Sequence, residues 1–376
     1  MRNFEAYGNV KFDSDQLPAI DTDLNYCINA VFNAFRLFTS FGGKYDKYVD
    51  VYVLDSVEPN AFVVEDSGRC CVCVTEGFII TVLELSKLAV KGADSRCLGE
   101  DGKRIAQHAY STKQREALNE MGLSLLEGAS SSEKILDIAT NILDFVIAHE
   151  LMHVSLGHLA YLEKNMSQIG MFEFGNQGQK PKEFLVRTAF EVEADTLATA
   201  VALGRVMHSN DVEQAMKIWS FSFEIMTNLL WFLANKITSS PATQSVLFAD
   251  SLIHPHPIKR RFSVEAHVQS PMEHSLAGRG LARNLHSWFS EGRKLAIDAI
   301  QGTVLEPSVD EGSIAKMIAN NLQPRRSLFS FLKRKSSRDI MHDPSQWIEY
   351  QMGLLSSLKD DIERAEMVFF KRLKEN

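Results

Sequence analysis

The sequence predicts an α+β protein that is mostly helical, with a small N-terminal β-sheet packed on a helical core and a helical C-terminal extension. Long stretches with apolar residues three and four positions apart predict helices over most of the chain. Short apolar runs bounded by turn residues, between residues 49 and 74, predict the strands. The composition, 45% hydrophobic and 23% charged over 376 residues, is that of a globular chain able to bury a core.

The order of these patterns divides the chain into four predicted parts. Residues 1–91 hold an N-terminal helix and the small sheet, and residues 92–129 form a polar surface insertion. Residues 130–270 form the helical core, and residues 271–376 form the helical extension. The insertion is interpreted either as a passive loop or as a lid or partner-binding element. The basic and apolar stretch at 325–335 either packs on the body or touches a partner or an anionic membrane.

Taken in order, the chain is predicted to begin with an irregular segment over residues 1–20 and a helix over 23–41. The predicted strands cover residues 49–54, 60–64 and 70–74, and a helix covers 78–90. After the central helix, a loop rich in Gly and Gln is predicted at 162–182. The later predicted helices cover one or two segments within 211–237, then 283–300, 314–321 and 344–374.

The cysteines predict neither a disulfide framework nor a zinc knot. Their number, five, is odd, and strand alternation sends Cys70 and Cys73 to opposite faces of one strand. We interpret them as small hydrophobic residues in a reducing cytoplasm. They are Cys27, Cys70, Cys71, Cys73 and Cys97.

The charge and hydropathy patterns narrow the class of protein. A net charge of −8 and a pI near 5.8 argue against nucleic acid as the main ligand. The polar first 15 residues predict no secretory signal. The most apolar window, 219–237, contains Glu224 and Lys236, so it is interpreted as a buried helix and not a membrane span. A cytoplasmic protein without a transmembrane segment is therefore expected.

The helix predicted after residue 130 carries the pattern His-Glu-x-x-His at His149, Glu150 and His153. Positions four apart lie on one helical face, so the two imidazoles can hold a single zinc ion. Glu150 then lies beside the metal, where a carboxylate can take a proton from bound water. The apolar residues before the motif predict that this helix is buried along most of its length. The alternative is a buried helix whose histidines only make hydrogen bonds.

A second helix, predicted after Pro181, carries Glu191 and Asp195 four positions apart. Glu191 is interpreted as the third zinc ligand, and Asp195 as the carboxylate that orients a ligand histidine through its second nitrogen. Glu193 is the competing third ligand, and it is disfavoured because no Asp follows it by four residues. The alternative is a solvated acidic face.

A later segment contains two His-Pro pairs, the first at His254 and Pro255, and Arg260 follows them. His254 can donate a hydrogen bond to an oxyanion, and Arg260 can bind a carboxylate or the backbone of a substrate. A structural turn explains the same residues equally well.

These motifs together resemble those of the gluzincin metallopeptidases, namely the HtpX and CAAX-prenyl-protease class and the minigluzincins. The matching motifs are Asn60-Ala61-Phe62, His149-Glu150-x-x-His153, Glu191-x-x-Ala194-Asp195, and His254-Pro255 with Arg260. The resemblance implies a zincin helical core and a substrate cleft lined by Asn60, Ala61 and Phe62. A sheet edge there can align an extended peptide through backbone hydrogen bonds. Met152 and the long interval between Gly77 and His149 depart from the family pattern.

The chain also looks like the Lit-type phage-exclusion peptidases, because it lacks membrane helices and carries a further histidine, His158. That resemblance implies a role in phage defence, host defence or toxin action. The sequence thus predicts a cytoplasmic zinc endopeptidase with one Zn²⁺ per chain and a protein or peptide substrate. An activating partner would bind the insertion 92–129 or the extension. The alternatives are a regulatory protease of the ImmA/IrrE kind and a non-catalytic interaction protein built on a zinc scaffold.

Overall fold

The structure, a computed structural model, describes eight stretches of the chain: residues 7–40, 48–95, 132–166, 170–172, 181–237, 264, 276–300 and 344–375. Most of the predicted insertion, the basic stretch at 325–335 and the predicted helix at 314–321 lie outside these residues. Cys97 lies outside them as well.

The described residues form eight helices and one five-stranded sheet, so the predicted α+β, mostly helical class is confirmed. The helices are α1 (Asp23–Ser40), α2 (Glu76–Ser95), α3 (Ser132–Ser155), α4 (His158–Met166), α5 (Pro181–Met207), α6 (Val212–Ile237), α7 (Leu276–Ile300) and α8 (Pro344–Glu375). The strands are β1 (Asn9–Phe12), β2 (Val49–Asp55), β3 (Ala61–Asp66), β4 (Arg69–Thr75) and β5 (Gly170–Phe172).

The sheet has the strand order β1-β2-β4-β3-β5. β2 and β4 run parallel, and the other neighbouring strands are antiparallel. Alternation along the strands separates two apolar faces. One face belongs to the main core, which also contains the buried residues of the helices, and includes Val63 and Val72. The other face forms a smaller cluster that includes Leu54, Phe62 and Cys73.

Two predictions of local structure were wrong. The segment predicted as irregular over residues 1–20 contains β1, which pairs with β2 at the edge of the sheet. The loop predicted over 162–182 contains the end of α4, the strand β5 and the start of α5. These strands depend on pairing with partners distant in the sequence, which a local pattern does not encode.

The expectation that β3 offers a free sheet edge to a substrate was also wrong. β3 pairs with β4 on one side and with β5 on the other, where Phe62 lies opposite Phe172 and Val63 opposite Met171. Backbone groups that already pair with β5 are not available to a substrate strand. Any substrate role of Asn60, Ala61 and Phe62 therefore stays a prediction.

Helix α3 is the centre of the helical layer, because α1, α2, α5 and α6 all pack against it. Every residue from Ile142 to Leu151 is buried, so the predicted burial of this helix is confirmed. Burial on all sides fixes the positions of its side chains, which is the condition for a rigid site.

The cysteines of the described part are buried free thiols, as predicted. Burial is the main cause that raises the pKa of Cys27 to about 12 and the pKa of Cys70 far above its ordinary value. These thiols therefore stay protonated and unreactive at neutral pH. Among the described helices, none is both long and apolar enough to cross a membrane.

We expect Gly292→Ala to destabilise the protein, because α7 crosses α6 closely at this glycine. A Cβ atom on Gly292 would lie 2.0 Å from Ser220 Oγ and 2.2 Å from the carbonyl oxygen of Lys217. Forcing a methyl group into this crossing should lower the free energy of unfolding by about 1–3 kcal/mol. Urea denaturation measures the change. The matched control is Gly204→Ala, since a Cβ there meets no atom within 4 Å; equal stability of the two variants would contradict the close crossing.

Candidate metal centre

The structure brings the three predicted metal ligands together between α3 and α5. His149 Nε2 lies 3.0 Å from His153 Nε2 and 3.1 Å from Glu191 Oε2. His153 Nε2 lies 3.5 Å from Glu191 Oε1. The side chains are almost fully buried, at 1% exposure for both histidines and 2% for Glu191.

These separations fit a tetrahedral zinc shell. Zinc binds imidazole nitrogen and carboxylate oxygen at about 2.0–2.2 Å, so neighbouring ligand atoms in a tetrahedron lie roughly 3.3–3.5 Å apart. The two ring nitrogens lie 3.0 Å apart, one carboxylate oxygen of Glu191 lies 3.1 Å from His149, and the other carboxylate oxygen lies 3.5 Å from His153. One metal ion can therefore bind all three donors with small side-chain shifts, and a fourth position is left for water or substrate.

Asp195 contacts the second ring nitrogen of His149, as predicted. Its Oδ1 lies 2.9 Å from His149 Nδ1, and the aspartate is completely buried. Burial disfavours the charged imidazole, but hydrogen bonds to Asp195 and Glu191 outweigh it and raise the pKa of His149 well above its ordinary value. Two carboxylates around one imidazole thus favour positive charge at this point, which a metal ion also supplies.

His153 has a different partner on its second nitrogen. His153 Nδ1 lies 3.0 Å from His158 Nδ1, and His158 Nε2 lies 3.0 Å from Glu193 Oε2. The disfavoured ligand Glu193 therefore contacts His158 and not the group of three metal donors. Burial is the main cause that lowers the pKa of His158, which favours the neutral form of its ring.

A sharp turn after α3 delivers His158 to this position. Gly157 has a φ of +74°, a conformation that glycine adopts at little cost, and α4 begins at the next residue. Helix α8 covers the turn, because a Cβ atom on Gly157 would meet Ile362 at 3.2 Å and Glu366 at 3.3 Å. Sequence reasoning noted His158 only through the Lit-type resemblance. The available signal was a glycine shortly after the His-Glu-x-x-His motif, with a histidine directly after that glycine.

Glu150, the predicted general base, is buried at 2% exposure. It follows His149 in α3 and lies near the sheet. Burial, Cys71 and then the negative charge of Glu150 raise the pKa of the Cys73 thiol well above its ordinary value. Glu150 is therefore close enough to β4 to act electrostatically on that strand.

The remaining predicted site residues are not brought to the metal ligands by any described contact. His254, Pro255 and Arg260 lie outside the described residues. Asn60 exchanges hydrogen bonds with Thr75 instead: its backbone N–H donates to Thr75 Oγ1 at 2.9 Å, and its carbonyl accepts from the Thr75 N–H at 3.0 Å. These bonds join the start of β3 to the end of β4.

The donor set of two imidazoles and one carboxylate suits a metal that takes nitrogen and oxygen ligands. Within the described residues, His149, His153 and Glu191 form the one group of three or more such side chains close enough to share a metal ion. Models of protein families, curated proteins and solved structures were all compared with this chain, and none of them matches it.

Proposed function

We propose that this protein is a zinc-dependent endopeptidase of the gluzincin type, with a protein or peptide as substrate. The observation that carries the proposal is the buried group of donor atoms from His149, His153 and Glu191, with Glu150 buried at the position after His149 in the same helix. Three protein ligands and one open position distinguish catalytic zinc sites from structural sites, which use four protein ligands.

A zinc ion in this site would polarise the carbonyl of the scissile bond and lower the pKa of the attacking water. His149, His153 and Glu191 would hold it. Glu150 would take a proton from the water and pass it to the leaving amine. Asp195 would keep His149 protonated on Nδ1, so that its Nε2 faces the metal.

A cytoplasmic location belongs to the same proposal and is supported by the four buried free thiols of the described part. A non-catalytic scaffold remains the rival from another class. A scaffold has no chemical use for the buried carboxylate of Glu150, and burying such a group without function costs stability.

The direct test is the metal content of the purified chain together with its cleavage activity. We expect about one zinc per chain, and loss of zinc in His149→Ala. Comparing the protein N-termini of cells that produce the native chain with those of cells that produce Glu150→Gln would identify the substrate. New N-termini that depend on Glu150 support an endopeptidase. Full zinc content without any such termini would favour the scaffold, and a chain without zinc would overturn the proposal.

A further inference from the structure

Both ligand histidines have a buried partner on the nitrogen that faces away from the metal donors. For His149 the partner is Asp195, at 2.9 Å. For His153 it is His158, at 3.0 Å, which in turn contacts Glu193 at 3.0 Å. The second arrangement is a hydrogen-bonded row of three side chains, His153, His158 and Glu193, from α3, α4 and α5.

The protons of this row of side chains can be assigned without conflict if His153 binds a metal. A nitrogen that binds a metal carries no proton, so His153 with Nε2 on the metal carries its proton on Nδ1. That N–H donates to Nδ1 of His158. A neutral His158 that accepts on Nδ1 carries its own proton on Nε2, and this N–H donates to the carboxylate of Glu193. Each hydrogen bond then has one donor and one acceptor.

The surroundings fix the ring of His158 in this position. Its ring stacks on Phe190, with centroids 4.0 Å apart and planes 9° from parallel. Tyr161 in turn packs edge-on against Phe190, with ring centroids 5.5 Å apart. His158 is fully buried, whereas the side chain of Glu193 is 28% exposed. The ring of His158 is therefore held by packing, and the carboxylate of Glu193 reaches solvent.

We propose that His158 and Glu193 are positioning residues that hold His153 in the orientation and tautomer required for metal binding. The inference rests on the proposed zinc site. It adds a second outer partner, on His153, to the Asp195 carboxylate that contacts His149, and the two partners differ in one respect. A neutral imidazole stands between His153 and the charge of Glu193, so that charge acts on the ligand over a longer distance. The support from Glu193 should therefore be weaker than that from Asp195.

The test is zinc affinity, measured by competition with a chromophoric chelator on the full chain. Loss of an outer partner lowers metal affinity by about 10–100-fold. We expect about a 10-fold loss in Glu193→Ala and up to about a 100-fold loss in Asp195→Ala. Glu193→Gln keeps an oxygen that accepts from His158, so its affinity should stay within about 3-fold of the native value. Because Glu193 is partly exposed, both of its variants should fold.

The control is Glu213→Ala, which removes an exposed carboxylate that pairs with Lys217 on α6. Its zinc affinity should equal that of the native chain. A second readout is the tautomer of His158, observed by NMR after selective ¹⁵N labelling of histidine. We expect the proton on Nε2 of His158 in the native chain and in Glu193→Gln.

The outcomes separate this inference from the proposed function. Equal zinc affinity in the native chain and Glu193→Ala, or a proton on Nδ1 of His158, would overturn the inference and leave the zinc peptidase standing. A native chain that binds no zinc would overturn both. A selective affinity loss in Glu193→Ala supports the inference even if the native chain cleaves no protein, a result that would overturn the peptidase alone.

Discussion

Glu150→Gln should lower kcat/KM for the physiological cleavage by about 10²–10⁴-fold, because general acid–base groups contribute rate factors of this size. Glutamine has the shape of glutamate and cannot accept a proton from water at neutral pH. The substitution leaves His149, His153 and Glu191 in place, so about one zinc per chain should remain. Loss of activity with retained metal would identify Glu150 as the base.

The measurement combines metal analysis with cleavage of the substrate found from the new N-termini. Glu213→Gln serves as the matched control, since the side chain of Glu213 is 51% exposed and pairs with Lys217 on α6. That variant should keep both zinc and activity. Undiminished cleavage by Glu150→Gln would rule out its role as the base, whereas loss of zinc in this variant would show that its carboxylate is needed to build the site.

The second large effect concerns the third ligand. Structural zinc sites bind with about 10–16 kcal/mol over four ligands, so one ligand is worth about 3 kcal/mol, or on the order of 10²-fold in affinity. Glu191→Ala should therefore lose at least 10²-fold in zinc affinity by the same estimate. Glu193→Ala, which removes only a remote partner of His153, should lose about tenfold.

Isothermal titration calorimetry, or competition with a chelator, measures the zinc affinities of the two variants side by side. Circular dichroism of the metal-free chains provides the control for folding, because both substitutions lie in α5. The ligand assignment would be reversed if Glu193→Ala lost zinc and Glu191→Ala kept it. Equal small losses in both variants would mean that neither carboxylate binds the metal.

The side chains of the candidate metal centre could be predicted from the sequence because helical periodicity encodes their arrangement locally. His149 and His153 lie four apart on one helix, and Glu191 and Asp195 lie four apart on another. Their spacing alone predicts which side chains share a face. The buried character of α3 was equally readable from its apolar residues. Only the approach of the two helices required the structure.

Other contacts of the site could not be predicted because they join residues that no periodicity links. The bond from His158 to Glu193 spans 35 residues and depends on the turn at Gly157. The strand β5 has only three residues and takes its extended form by pairing with β3. The prediction of a free β3 edge failed for this reason, since the pairing partner lies more than 100 residues later in the sequence.

The cover that α8 places over the turn at Gly157 has a consequence for the order in which the site is completed during synthesis. Besides its contacts with Gly157, α8 is tied to α4 by Arg372, whose Nη2 donates to Glu163 Oε2 at 2.9 Å across 209 residues of chain. A ribosome that adds about 5–20 residues per second needs roughly 10–40 s to make that intervening chain. The residues of α3 are therefore synthesised well before the segment that covers the turn leading to His158. The last described helix of the chain completes the surroundings of the candidate metal centre.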